Sequence, residues 1–181
     1  MSDASSPPQT VSHASALFLR EPEIRRGIEL LYFGYSNMIR GADNILDTRK
    51  LGRAHHRALY FIARQPGLAV SDLIRLLAIT KQSLSRVLAD LVRLGLVEQK
   101  VGTLDRRQRL LQLTENGRNL EAELFDALRE RMAGAYAAAG QQAVGGFWSV
   151  LSGLIPPADR AMVEELDRFA RHTGAGERKA P

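Results

Sequence analysis

The segment from Val70 to Gly117 constrains the fold of this chain more than any other part of the sequence. A short helical pattern over residues 70–79 is followed by a longer one over residues 80–97. A two-stranded hairpin comes next, with strands predicted over residues 96–101 and 107–113 and a basic loop between them. Helix, turn, helix and basic hairpin is the order of a winged helix-turn-helix. We therefore predict a mainly α fold with a small β-hairpin wing.

The longer helical pattern has a start, an end and two different faces. Thr80 is a predicted N-cap, because its hydroxyl can accept a hydrogen bond from a backbone amide of the first turn. Gly95 stands where a helix favours a left-handed C-cap. The apolar face consists of Leu84, Val87, Leu88, Leu91 and Leu94. The polar face, which we predict to contact DNA together with Thr80, consists of Lys81, Gln82, Ser83, Ser85 and Arg86. An ordinary solvated helix face is the alternative interpretation.

The hairpin concentrates positive charge at its tip. Arg106 and Arg107 lie at the tip and Arg109 lies just behind it, where arginines can enter a narrow minor groove. The charge of Asp105 opposes DNA binding, so we predict that this carboxylate orients the Arg107 guanidinium through a charge-assisted hydrogen bond. A surface turn with a weak ion pair is the alternative.

The recognition segment TKQSLSRVLADLVRLGLVEQ and the wing DRRQRLLQLTENG resemble the MarR family of bacterial transcriptional regulators. The wing pattern of that family is Asp-x-Arg, a strand, and then Leu-Thr-x-x-Gly. Here the pattern is filled by Asp105, Arg107, Leu113, Thr114 and Gly117. The resemblance covers roughly residues 20–172. It implies an obligate homodimer on a pseudo-palindromic operator in double-stranded DNA, often responsive to a small hydrophobic anion.

The charge distribution favours the same function. Residues 49–109 contain 13 Lys and Arg against four Asp and Glu, a net charge of +9. The rest of the chain contains 12 basic residues against 16 acidic ones, a net charge of −4. Positive charge is therefore concentrated on the predicted module, as expected for a protein that binds a phosphate backbone.

The chain on either side of the module is predicted to form dimerisation helices. A helix beginning at Glu21 carries an a/d heptad stripe of Ile24, Ile28, Leu31, Tyr35, Met38, Ala42 and Ile45. Such a stripe is too long for one small lobe to cover, so part of it should contact a second subunit. The alternative is a single intramolecular core helix. Further apolar helices are predicted after Thr114, around Phe147 and over residues 159–172.

These patterns divide the chain into five segments. Residues 1–16 and 173–181 are predicted to be disordered tails. Residues 17–48 form an N-terminal dimerisation helix, residues 49–114 the DNA-binding lobe, and residues 115–172 the C-terminal dimerisation helices.

A ligand pocket is predicted where the first two helices should pack. Its residues are Tyr35, Met38, Arg53, His56 and Tyr60, which together offer an apolar crevice and a cation for an aromatic acid. Core packing with a hydrogen-bonded histidine is the alternative. The sequence leaves open whether His55 and His56 face a pocket, the core or DNA.

Several classes of protein are excluded or disfavoured. The absence of cysteine excludes disulfides, thiolate zinc sites and thiol-based redox sensing. No catalytic or phosphate-binding motif is found, so we expect neither an enzyme nor a cofactor, and the histidines lack metal-ligand spacing. With no apolar run long enough for a bilayer and no signal peptide, the chain is expected to be cytoplasmic and not membrane-bound. A non-regulatory winged-helix protein, either an architectural DNA binder or an interaction adaptor, is the alternative function.

Overall fold

The structure, a computed structural model, describes residues 16–102 and 105–176, with only the backbone described at residues 16–17 and 169–176. The helices are α1 (Glu21–Thr48), α2 (Arg53–Arg64), α3 (Val70–Leu77), α4 (Lys81–Arg93), α5 (Glu115–Ala139), α6 (Gln141–Leu154) and α7 (Pro157–Gly176). The strands are β1 (Leu68–Ala69), β2 (Val97–Val101) and β3 (Arg109–Leu113). A 3-10 turn, Ala16–Leu19, precedes α1. Of the predicted tails, residues 1–15 and 177–181 lie outside the described residues, and α7 continues past the predicted boundary at residue 172.

The chain divides after Asn37 into two compact units, and α1 contributes to both. The helix begins at Glu21, as predicted. In the first unit the stripe residues Ile24, Ile28, Leu31 and Tyr35 are exposed, with 63% of Ile28 accessible. In the second unit α1 buries Ile39, Ala42 and Leu46. The alternative of a wholly intramolecular core helix is therefore wrong for the first half of the stripe.

The second unit has one apolar core, which is built by α2, α3, α4, the sheet and the start of α5. Its fully buried side chains include Leu59, Ile62, Leu73, Leu84, Leu91, Leu111 and Leu124. Burying a leucine contributes about 1.5–3 kcal/mol, so this core holds the inner face of α4 firmly. The opposite face of α4 remains accessible.

The sheet has three antiparallel strands in the order β1-β3-β2, so the prediction of a two-stranded hairpin was incomplete. The additional strand pairs Leu68 with Leu111 and Ala69 with Leu110. It is anchored by Gly67, which has a φ of +85° and donates its amide to the Leu111 carbonyl at 2.9 Å. A strand of two residues has no visible alternation, which is why the sequence pattern did not reveal it.

The boundaries between α4 and the wing also differ from the prediction. The helix ends at Arg93 rather than continuing to Val97, because Gly95 adopts the left-handed conformation (φ +65°) and the chain turns into β2. The return strand begins at Arg109 rather than at Arg107. Arg107 consequently lies in the turn at the wing tip. Leu94, predicted to belong to the apolar face, is 42% exposed beside the helix end.

The start of α5 is tied to the end of α4 by a compact set of backbone contacts. The Thr114 hydroxyl accepts from the Gly117 amide at 3.0 Å and donates to the Gly95 carbonyl at 2.6 Å. The Thr114 amide donates to the Leu96 carbonyl at 3.1 Å. Gly117 packs so closely that a Cβ atom there would lie 1.9 Å from that same carbonyl oxygen. The Thr-x-x-Gly sequence thus joins α5 to the junction between α4 and β2.

The C-terminal helices leave much apolar surface accessible. Gly140 (φ +80°) ends α5, and α6 exposes Phe147, Trp148, Val150 and Leu154. In α7, Met162 and Leu166 are partly buried, whereas Val163 is 41% exposed; the Phe169 side chain lies outside the described residues. No helix within the described ranges is both long and apolar enough to cross a membrane.

Candidate nucleic-acid interface

The first two turns of α4 present the polar face that the sequence predicted. The Thr80 hydroxyl caps the helix by accepting from the Ser83 amide at 3.2 Å and donates to the Ser83 hydroxyl at 2.9 Å. The exposed residues of this face are Thr80, Lys81, Gln82, Ser83, Ser85 and Arg86. Among the residues that the structure describes, the Lys81, Gln82 and Arg86 side chains have no hydrogen-bonding or ionic partner. These three side chains are therefore available to a ligand, whereas Thr80 and Ser83 stabilise the helix start.

The tip of the wing is closed by hydrogen bonds around Asp105. Its carboxylate accepts from the Arg107 backbone amide at 2.8 Å. The Gln108 amide donates to the Asp105 carbonyl at 3.0 Å, and the Gly102 amide donates to the Gln108 carbonyl at 3.1 Å. A Cβ atom on Gly102 would lie 2.6 Å from the Asp105 carbonyl oxygen, so this turn requires glycine there. These hydrogen bonds thus fix the described residues of the wing tip, 105–108, relative to Gly102.

The prediction that Asp105 forms an ion pair with the Arg107 guanidinium is wrong. The described residues contain no such pair. Because Arg107 lies in the turn, its amide is close to the carboxylate two residues earlier, and the aspartate forms an Asx turn with the backbone. Asp105 therefore fixes the backbone that carries Arg107, and no described residue pairs with the Arg107 guanidinium.

An open groove of about 610 Å³ lies between α4, the wing and the start of α3. It brings together Lys81 and Ser85 of α4 with Arg107 and Arg109 of the wing. Two further polar residues, Ser71 and Gln99, also line the groove and are not among the site residues predicted from the sequence. Arg106, Gln82 and Arg86 are exposed outside the groove lining. The groove therefore joins the cations of two elements on one surface.

Deleting the Asp105 side chain should weaken DNA binding even though it removes a negative charge. Asp105→Ala loses the hydrogen bond to the Arg107 amide, a contribution of about 1 kcal/mol, and Arg107→Ala should weaken binding by a similar amount. The double variant should be little worse than Arg107→Ala alone. Affinities are measured at one fixed salt concentration.

Asp105→Asn is the matched control, because its amide oxygen keeps the Asx turn while the charge is removed. It should bind DNA at least as tightly as the parent protein. Tighter binding by Asp105→Ala as well would show that Asp105 does not position the wing.

Of the five residues of the predicted ligand pocket, Met38 and Tyr60 line one apolar groove, whereas Arg53 and His56 are not among its lining residues. This groove has a volume of about 390 Å³ and is also lined by Phe125, Met132 and Tyr136. Arg53 instead forms a bidentate ion pair with Asp43, with distances of 3.0 and 2.8 Å. His56 is partly buried on α2. Tyr35 belongs to the first unit and is half exposed.

The two histidines have different surroundings. Burial lowers the pKa of the His56 imidazole, and the Asp43 carboxylate acts in the opposite direction. The His55 ring accepts from the Gly52 amide through Nδ1 at 3.1 Å and lies 3.5 Å from the Asp90 carboxylate through Nε2. His55 therefore contacts the start of its own helix and α4. Within the described chain no group of three His, Asp or Glu residues is arranged to hold a metal ion.

This chain is similar to known proteins in sequence and in fold. The MarR family model matches residues 50–108. The HTH-type transcriptional regulator PetP of Rhodobacter capsulatus is 51% identical over 150 residues, which span 83% of this chain and 90% of PetP. The S. aureus MepR–DNA complex superposes with a TM-score of 0.58 at 21% identity, covering 70% of this chain and 93% of MepR. A MarR-family transcriptional regulator from Silicibacter pomeroyi superposes with a TM-score of 0.61 at 20% identity, covering 78% of this chain and 94% of that protein. The two structures share the fold of this chain.

Proposed function

The chain belongs to the MarR family, and we propose that it is a homodimeric transcriptional regulator that binds a pseudo-palindromic operator in double-stranded DNA. The observation that carries this proposal is the exposed polar face at the start of α4, next to the wing arginines, where the Lys81, Gln82 and Arg86 side chains have no partner among the described residues. A helix enters the major groove with its N-terminal side chains against base edges. The net charge of +9 on residues 49–109 adds the expected attraction to the phosphate backbone.

The homodimer is supported by the apolar side chains that a single chain leaves exposed. Ile24, Ile28 and Leu31 on α1 and Trp148 and Leu154 on α6 are all more than 40% accessible. Apolar surface of this extent is typical of an interface between subunits. We therefore assign residues 17–48 and 115–172 to dimerisation and residues 49–114 to DNA binding. Because we propose a transcriptional regulator, we also propose that the protein is cytoplasmic and has no catalytic role.

We assign an effector site to the apolar groove that contains Met38 and Tyr60. Its lining is apolar apart from Arg129 and the tyrosine hydroxyls, which suits an aromatic carboxylate better than a sugar or a nucleotide. Arg129, rather than the predicted Arg53, is the cation at this groove. If benzoate released DNA from the Tyr60→Ala variant as effectively as from the parent protein, this assignment would be contradicted.

Base readout and backbone binding are expected to separate between two residues of α4. Arg86→Ala should relax base preference at one position in each half-site, at a cost of about 1–3 kcal/mol. Lys81→Ala should weaken binding to all sequences nearly equally and reduce the slope of log K against log salt by about 1. The measurement is affinity for a panel of single-base operator variants at several salt concentrations. An unchanged preference in Arg86→Ala would rule out base readout by that residue.

A further inference from the structure

His55 is the third residue of α2, and both nitrogens of its ring have partners. Nδ1 accepts from the amide of the N-cap residue Gly52 at 3.1 Å, and Nε2 lies 3.5 Å from an Asp90 carboxylate oxygen on α4. With Nδ1 as acceptor, the ring proton is on Nε2, so the imidazole donates to Asp90. Only 16% of the His55 side chain is accessible. The ring thus lies between the start of α2 and the flank of α4.

Asp90 connects this contact to the DNA-facing side of α4. It lies one helical turn after Arg86, and its other carboxylate oxygen accepts from Arg93 at 2.9 Å. The hydrogen bond from Arg93, with a smaller contribution from His55, lowers the pKa of the Asp90 carboxyl and keeps it ionised. Asp90 therefore offers His55 a charged acceptor on the helix that carries Gln82 and Arg86.

A hydrogen bond on the flank of a packed helix adds a directional constraint to its apolar packing. Residues such as Leu84 and Leu91 hold α4 against α2 through a non-directional interaction. Readout of base edges requires side chains to be held within about 0.5 Å and 10–20° of the productive geometry. A directional contact on the flank of α4 can supply that constraint.

We propose that His55 is a positioning residue, which fixes the rotation of α4 through Asp90 and thereby sets base discrimination by Gln82 and Arg86. The inference rests on the proposed role of α4 in reading DNA. It concerns discrimination between sequences, whereas the capping contact to Gly52 concerns only the stability of α2.

The test exchanges the donor and the acceptor. His55→Glu keeps an acceptor for the Gly52 amide, since glutamate is favoured at the third position of a helix. It also places a like charge beside Asp90. In the double variant His55→Glu/Asp90→Asn, the asparagine amide can donate to the glutamate, and the net charge equals that of the parent protein with a neutral histidine. The long-range attraction to DNA is therefore matched.

The measured quantity is the ratio of Kd for a scrambled duplex to Kd for the duplex selected by the parent protein from random DNA. His55→Glu should lower this ratio about tenfold, and the double variant should restore it to within about threefold of the parent. Asp126→Asn is the matched control, because it removes a similar i,i+3 Asp–Arg pair of 2.9 Å on α5, away from α4. The control should leave the ratio unchanged, and melting temperatures should stay close to that of the parent in all variants.

The remaining outcomes contradict either the positioning role of His55 or the proposed function. A ratio that stays within twofold of the parent in His55→Glu, or a double variant no better than the single one, overturns the positioning role. A parent protein that selects no sequence overturns the proposed function itself, and the inference with it. The two failures are distinguishable because the parent protein is measured first.

Discussion

Replacing Gly117 with alanine is expected to lower the free energy of unfolding by more than about 3 kcal/mol, at or beyond the upper end of the usual cost of overpacking. The added Cβ atom would lie 1.9 Å from the Leu96 carbonyl oxygen and 2.9 Å from its carbonyl carbon. That carbonyl is backbone and accepts from the Thr114 amide, so it cannot move without breaking a hydrogen bond. The junction between α4, β2 and α5 would have to open.

Thermal unfolding followed by circular dichroism measures this effect, which should appear as a fall in Tm of roughly 10 °C. Asn119→Ala, an exposed substitution in the same part of α5, is the control and should be neutral or slightly stabilising. If Gly117→Ala melted at the same temperature as the control, the close packing at Leu96 would be refuted.

Ile28→Asp should convert the protein to a monomer at micromolar concentration and reduce operator affinity more than about 100-fold, because two linked half-site contacts become independent. Ile28 is 63% accessible in the single chain, so the substitution removes little packing within one subunit. In a two-fold symmetric interface it would bury two unpaired carboxylates, at a cost of about 3–5 kcal/mol each.

Asn37→Asp, which adds the same charge at another exposed position of α1, should remain dimeric. Sedimentation equilibrium measures the assembly state, and fluorescence anisotropy measures DNA affinity. A parent protein that sediments as a monomer, or an Ile28→Asp variant that remains dimeric, would contradict the assignment of α1 to the interface.

Local signals explain why much of this fold was predictable from the sequence. Thr80, Gly95 and Thr114 mark helix ends through their own side-chain chemistry or backbone freedom, and each stands where the sequence predicted it. The apolar spacing in α4 likewise predicted its buried face, because that face follows from helical periodicity.

Non-local contacts explain what was missed. Strand β1 exists only because two residues pair with β3, far along the chain. The contact between His55 and Asp90 joins residues 35 positions apart, and Ser71 reaches the groove only when α3 packs beside the wing. The role of Asp105 was misjudged for a different reason. Sequence proximity to Arg107 predicted a contact but could not distinguish the guanidinium from the amide.

Selection of bound duplexes from a random pool by the purified protein tests whether this chain reads DNA as a symmetric dimer. We expect enrichment of two inverted half-sites whose centres lie about one helical turn apart, roughly 10 base pairs. The same selection with Arg86→Ala should lose preference at one position in each half-site. Enrichment of no motif, or of a single motif without an inverted copy, would show that the protein does not read DNA as a symmetric dimer.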